Sequence, residues 1–129
     1  MHILKATAKP GERWRKPIKA GKVKAIGLSN FEQADIDNIL ASSSVKPMVN
    51  QILAHISNTP KELIKYNQDK GILVEAYSPF GHGELFKNKE VQTIAEKYNV
   101  SISQLAIRYC TVGYSLLFRA WLATVAKDS

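Results

Sequence analysis

The 129-residue sequence contains one cysteine, Cys110, and only three histidines. A single cysteine cannot form an intramolecular disulfide, and zinc sites need clustered Cys and His, so disulfide-stapled and zinc-stabilised folds are excluded. The longest apolar stretches, at 114–118 and 120–126, are much shorter than the roughly 20 residues of a membrane helix. We therefore expect a cytoplasmic protein with no membrane span.

Glycine and proline are also scarce, at 7 and 5 residues, which argues against collagenous and low-complexity classes. Apolar residues make up 45% of the chain and charged residues 22%, as in ordinary globular proteins. The length suits one domain and is about half of the roughly 250 residues in a complete (β/α)₈ barrel.

The net charge of +7 is concentrated at the amino end. Residues 1–24 contain eight lysines and arginines and one acidic residue, which leaves ten charges of each sign in the rest of the chain. A basic arm with Trp14 between Arg13 and Arg15 could bind phosphates and stack on a base. Because most basic runs at chain ends are simply solvated, we treat 1–20 as an arm and do not expect nucleic-acid binding.

The rest of the chain alternates between strand-like and helix-like segments. Apolar, β-branched runs lie near 23–28, 49–54 and 72–77, each is followed by a helical pattern, and two of the helical segments lie beyond position 88. Three βα units with a spacing of about 25 residues predict a parallel α/β sheet, because parallel connections need a crossover of a dozen or more residues. A doubly wound sheet and part of a barrel fit this pattern equally well.

Local signals predict where several helices begin and end. Thr59 and Glu62 form a capping-box pattern with Pro60 at the first helical position, and Ser101–Gln104 forms a second box. Asn88 is a further N-cap candidate. Gly71 fits the carboxyl-terminal cap of the helix that follows Pro60.

Ligands of parallel α/β proteins meet the residues just beyond the carboxyl ends of the strands. The side chains there are mostly polar: Ser29, Asn30, Gln51, Tyr77 and Ser78. They offer neutral donors and acceptors for an amide and a flat ring face, and a glycine turn at 81–83 could free backbone N–H groups for phosphate. Taken singly, the same residues are typical of a helix cap, a buried amide and a core aromatic. None is a strong nucleophile or a metal site.

Four segments together resemble the second half of the aldo-keto reductases. They are GKVKAIGLSNF at 21–31, KPMVNQI at 46–52, GILVEAYSPFG at 71–81 and AEKYNVSISQLAIRYC at 95–110. The resemblance implies a (β/α)₈ barrel that binds NADP(H) in an extended pose without a Rossmann domain and reduces aldehydes and ketones. It thus favours a partial TIM-type barrel over the doubly wound sheet.

Seven residues match positions that contact the cofactor in this family: Ser29, Asn30, Gln51, Tyr77, Ser78, Phe80 and Gly81. The resemblance implies that the first three hydrogen-bond the nicotinamide carboxamide and that Tyr77 stacks on the nicotinamide ring. The last three would begin the loop along the pyrophosphate.

The sequence also departs from the family pattern at both ends. The family's catalytic Asp, Tyr, Lys and His come from its first four strands and have no counterpart here, except that His2 could be a remnant of the His-Trp-Pro that ends the fourth strand. Residues 111–129 diverge where an eighth strand would supply Lys and Ser to the 2′-phosphate. A rearranged gene fragment or a frameshift would produce this pattern.

We therefore expect a half barrel at 21–110, flanked by the arm and a divergent tail. It would be a truncated aldo-keto reductase with a weak, partial NADP(H) site and without carbonyl reductase activity. The alternative is a noncatalytic binding or self-associating protein, because half a barrel leaves two sheet edges and an apolar inner face unsealed. Both hypotheses predict a homo-oligomer.

Overall fold

A computed structural model describes the backbone of residues 2–5 and all of residues 25–112. Its strands are β1 (His2–Lys5), β2 (Ile26–Ser29), β3 (Val49–Leu53) and β4 (Leu73–Tyr77). Its helices are α1 (Gln33–Ser42), α2 (Lys61–Asp69), α3 (Lys89–Lys97) and α4 (Ile102–Val112), with a 3₁₀ segment at Gly81–Lys87. Residues 1 and 6–24, which include Trp14 and the rest of the arm, and the tail from position 113 lie outside the described residues.

The four strands form one parallel sheet in the order β1-β2-β3-β4. The three predicted βα units and the partial barrel are thereby confirmed. The sequence did not predict β1, which pairs with β2 from His2 opposite Ile26 to Lys5 opposite Ser29. The sequence pattern did not reveal this strand, because four residues are too few to show a period of two. Residues 2–5, which were predicted to belong to the arm, therefore belong to the sheet.

One face of the sheet forms the core against the helices. Side chains alternate between the faces of a strand, and Leu28, Ile52 and Val74 all lie on the helix-covered face with at most 3% of their surface exposed. They pack with Ile36 of α1 and Ile64 of α2. The opposite face carries the polar residues of the candidate site.

Three of the predicted helix boundaries are confirmed. Asn88 Oδ1 accepts the N–H groups of Glu90 and Val91 at 3.0 and 3.3 Å. The Ser101–Gln104 box is present, because each residue's N–H donates to the other's side chain. Gly71 directly follows the cap of α2 with a φ of 65°, a left-handed conformation that glycine adopts without strain.

The capping box predicted at Thr59 is wrong. The Thr59 hydroxyl donates to the His55 carbonyl at 3.0 Å and makes a 2.7 Å hydrogen bond with the Tyr109 hydroxyl. Pro60 occupies the cap position, and α2 begins at Lys61. The threonine thus joins the β3–α2 connection to α4 instead of capping α2.

Candidate functional site

Ser29 and Gln51 lie side by side at the carboxyl edge of the sheet. The β2–β3 register places Ser29 opposite Gln51, and residues opposed in a parallel ladder project from the same face. Ser29 is 9% exposed, and Gln51 is half-buried. A hydroxyl and an amide therefore occupy one rank of the sheet face that α1 and α2 do not cover.

The turn after β2 is held to β3 by both main-chain and side-chain hydrogen bonds. Asn30 has a φ of 57°, and its N–H donates to the Gln51 carbonyl at 2.8 Å. The buried Asn50 side chain pairs with the Phe31 main chain, since Nδ2 donates to the carbonyl at 2.9 Å and Oδ1 accepts the N–H at 3.4 Å. These contacts fix where Ser29 and Asn30 lie.

Neither Ser29 nor Asn30 caps a helix, so that interpretation of the two residues is wrong. Helix α1 begins at Gln33, and the Glu32 N–H before it donates to the Asp35 carboxylate at 3.2 Å. The carboxylate of Asp35, in the first turn of α1, thus accepts the main-chain N–H of the N-cap residue Glu32. The polar groups of Ser29 and Asn30 are not used for that purpose.

Gln51 makes a side-chain hydrogen bond to a residue that the sequence did not single out. Its Nε2 donates to Glu75 Oε1 at 2.7 Å, and the β3–β4 register places the two residues opposite each other. Glu75 is only 7% exposed. The predicted buried amide is therefore partnered by a carboxylate from the next strand.

The β4 end carries Tyr77 and Ser78, followed by a tight turn. Both side chains are half-buried, and Ser78 has a φ of 52°. The Gly81 N–H donates to the Ser78 carbonyl, and the Gly83 N–H to the Phe80 carbonyl, both at 2.9 Å. Both glycine N–H groups therefore bond within the turn, and a phosphate contact by the other backbone N–H groups of this turn stays a prediction.

Phe80 and Gly81 contribute packing around this turn. The Phe80 ring packs against Phe86 with centroids 5.7 Å apart. Gly81 has a φ of 52°, and a Cβ there would lie 3.1 Å from Cε1 of His55. The imidazole thus lies directly against the glycine backbone.

His55 occupies an environment that disfavours its charge. Its Nδ1 is buried and has no hydrogen-bond partner among the described residues. Burial, with a smaller contribution from the nearby His82, lowers the pKa of His55 below its usual 6.5. Packing against Gly81 thus favours the neutral form of the imidazole over the charged form.

His2 does not occupy the position that the family's histidine would require. It opens β1 opposite Ile26, at the amino end of the sheet, whereas Ser29 lies at the carboxyl end. Three residues of strand separate the two ends by about 10 Å. The resemblance implies that the family's histidine lies at the carboxyl end of a strand, and His2 does not lie there.

The site offers neutral hydrogen-bonding groups and an aromatic ring, with the buried carboxylate of Glu75 beside Gln51. No cluster of three metal-ligating side chains occurs within the described residues. Among residues 25–112, every helix is too short or too polar to span a bilayer. A groove of about 640 Å³ at the starts of α1 and α2 is lined by none of the predicted contact residues. The polar side chains at the carboxyl edge of the sheet, by contrast, are suited to binding and orienting an amide.

Known proteins are similar to this chain in sequence and in fold. The sequence model that describes the aldo/keto reductase family matches residues 15–117 of this chain. This range is wider than residues 21–110, in which the motifs lie. Glyoxal reductase of Bacillus subtilis is 42% identical over 101 residues, which are 76% of this chain and 37% of that protein. An aldehyde reductase of Saccharomyces cerevisiae is 40% identical over 107 residues, covering 79% of this chain and 34% of that protein.

Solved structures agree in fold. The aldo/keto reductase of Brucella melitensis is 30% identical with a TM-score of 0.74, covering 90% of this chain and 46% of that one. A Bombyx mori aldo-keto reductase, solved in complex with NADP, is 28% identical with a TM-score of 0.64, covering 81% and 37% of the two chains. This chain spans a little over a third of the length of the curated relatives that it matches. With a family model that matches most of its residues, the chain belongs to the aldo/keto reductase family.

Proposed function

We propose that the carboxyl edge of this sheet binds the nicotinamide end of NADP(H), as part of an oxidoreductase that acts on carbonyl compounds. The observation that carries the proposal is the arrangement of three adjacent strands. The register places Ser29 of β2 opposite Gln51 of β3, and β4, which pairs with β3, ends at Tyr77. Three of the four side chains that the family resemblance assigns to the carboxamide and the ring thus lie on adjacent strands, at the same edge, and the fourth, Asn30, directly follows β2.

The donor set fits a carboxamide. A carboxamide presents N–H donors and a carbonyl acceptor, so its site needs an acceptor and a donor. Gln51 donates through Nε2 to Glu75, and its Oε1 can accept. The Ser29 hydroxyl can donate, and the half-buried Tyr77 offers a ring face. When bound, the nicotinamide would supply the hydride, and these residues would hold and orient it.

Fewer groups are available to bind the pyrophosphate and the 2′-phosphate of the cofactor. Both glycine N–H groups of the turn are engaged within the turn, and the groups that would hold a 2′-phosphate have no counterpart in the sequence. We therefore propose a partial site of low affinity. We also propose that the 129-residue polypeptide by itself does not reduce carbonyls, because it contains no counterpart of the family's Tyr acid with its Asp and Lys.

Cofactor titration tests this function. NADPH binding is followed by cofactor fluorescence and by saturation-transfer NMR, with binding expected in about the millimolar range. Tyr77→Ala should weaken binding about three- to tenfold, the value of an aromatic contact. Tyr98→Ala, directly after the end of α3, is the matched control, since Tyr98 is 65% exposed and is not one of the predicted contact residues. Equal affinities in the two variants, or no saturable binding by the wild type, would reject the proposal.

A second candidate function, self-association without catalysis, rests on the sheet edges. Within the described residues, β1 and β4 each pair on one side only. Leu73 at the start of β4 is 47% exposed on the face opposite the helices. Unpaired strand edges and exposed apolar side chains are commonly covered by a partner, and a second copy of the chain is the simplest one.

A further inference from the structure

A rank of three polar side chains crosses the inner face of the sheet. Ser29 is opposite Gln51 in the β2–β3 ladder, and Gln51 is opposite Glu75 in the β3–β4 ladder. Strands of parallel sheets are normally apolar, and the neighbours of Glu75 in the chain, Val74 and Ala76, are apolar and buried on the other face. Glu75 therefore stands out as a carboxylate that is 7% exposed and lies directly beside a predicted ligand contact, Gln51.

The hydrogen bond between Gln51 and Glu75 has a direction. An amide has a donor end and an acceptor end, whereas an ionised carboxylate only accepts. The 2.7 Å contact therefore engages the Nε2 end of Gln51. The reversed amide would place two acceptor oxygens against each other. The carboxylate thus determines which end of the amide remains available.

We propose that Glu75 is a positioning residue that holds the Gln51 amide with Oε1 as the acceptor for the ligand. This role rests on the proposed nicotinamide site. An acceptor at this place selects ligands that carry an N–H donor, so the site favours a carboxamide over a ketone of the same shape. Glu75 acts through Gln51 and does not itself contact the ligand.

A purely structural role for the same hydrogen bond makes a different prediction. If Glu75 only stabilised the pairing of β3 and β4, its substitution would lower stability and weaken all ligands alike. If it orients the amide, substitution changes the preference between ligands with and without an N–H donor. Glutamine at position 75 can both donate and accept, so it permits both orientations of Gln51.

The test compares NADP⁺ with its 3-acetylpyridine analogue, in which a methyl group replaces the carboxamide NH₂. Affinities for both are measured by saturation-transfer NMR on the 129-residue protein. The wild type should prefer the carboxamide about five- to tenfold, the value of one hydrogen bond. In Glu75→Gln the preference should fall to about twofold or less. Glu75→Met, which has no hydrogen-bonding group of comparable strength and a similar length, should show the same loss.

Two further variants separate the possible results. Glu96→Gln removes the same charge from the exposed surface of α3 and should keep the wild-type preference. Gln51→Ala should lose the preference, and adding Glu75→Gln to it should change nothing more. The Gln51 side-chain amide signal, assigned by its loss in Gln51→Ala, should shift in Glu75→Gln without any ligand.

The outcomes distinguish this role from the function on which it rests. No saturable binding of either cofactor by the wild type rejects the nicotinamide site and the role together. Binding that weakens in Gln51→Ala, combined with an unchanged preference in folded Glu75→Gln and Glu75→Met, rejects the role of Glu75 alone. An unshifted Gln51 amide signal in Glu75→Gln also rejects it.

Discussion

Asn50 should contribute more to stability than any other buried amide of the described fold. Its side chain is 0% exposed and makes hydrogen bonds of 2.9 and 3.4 Å to the carbonyl and N–H of Phe31. In Asn50→Ala both main-chain groups lose these partners inside the core. A buried polar group left unpaired costs about 1–3 kcal/mol, and the longer bond counts for less, so the free energy of unfolding should fall by about 2–4 kcal/mol.

Asn67 is the matched control for this substitution. It is also an asparagine at 0% exposure, but Nδ2 donates at 2.8 Å to the Leu63 carbonyl, four residues earlier in α2, which is also the helical acceptor. Its Oδ1 has no partner among the described residues. Asn67→Ala therefore leaves no main-chain group unpaired and removes an unsatisfied oxygen, so it should cost about 1 kcal/mol or less.

Urea unfolding followed by far-ultraviolet circular dichroism measures both variants. The two losses should differ by more than about 1 kcal/mol with equal dependence on urea. Equal losses, or a larger loss in Asn67→Ala, would refute the inference that the Phe31 contacts fix the turn after β2. Because that turn carries Ser29 and Asn30, Asn50→Ala should also weaken NADPH binding, whereas Asn67→Ala should not.

Four further outcomes are expected. Light scattering at micromolar concentration should give a mass above the 14.4 kDa of one chain, and a cooperatively melting monomer would contradict the predicted self-association. NADPH should not be consumed with a nitrobenzaldehyde, and saturable turnover that is lost in Tyr77→Ala would reveal a catalytic route that the sequence does not show. NADP(H) and NAD(H) should bind within about threefold of each other, with any preference fading as salt screens the basic arm, and a salt-resistant preference would show a built phosphate site. Because the pKa of His55 is lowered on folding, the folded state binds fewer protons than the unfolded state below pH 6.5, so stability should fall on acidification through that range and fall less in His55→Gln.

The elements that the sequence predicted correctly are encoded locally. The three apolar runs became β2, β3 and β4 within a few residues of the expected bounds. Asn88 and the Ser101–Gln104 box cap their helices as expected, because each hydrogen bond joins residues two or three positions apart. A short-range pattern contains all the information that such contacts need.

The errors involve contacts between distant parts of the chain. Thr59 has the capping pattern, but its hydroxyl is bonded to His55 and to Tyr109, fifty positions later in the sequence. Strand β1 is four residues long and gains its hydrogen bonds only by pairing with β2 across more than twenty residues of chain. Propensity cannot predict either feature, since each depends on a partner that the local pattern does not contain.

Glu75 shows how far the residues at the candidate site could have been predicted. In the run 72–77 it is the only charged residue, and burying a charge in a parallel strand is costly unless a hydrogen-bonding partner is present. The sequence therefore implies that Glu75 has a partner. It does not identify that partner, because a nearly continuous apolar run has no alternation that would set its register against β3. Once the register places Glu75 opposite Gln51, an acidic residue in an apolar strand becomes the group that determines which end of the amide can meet a ligand.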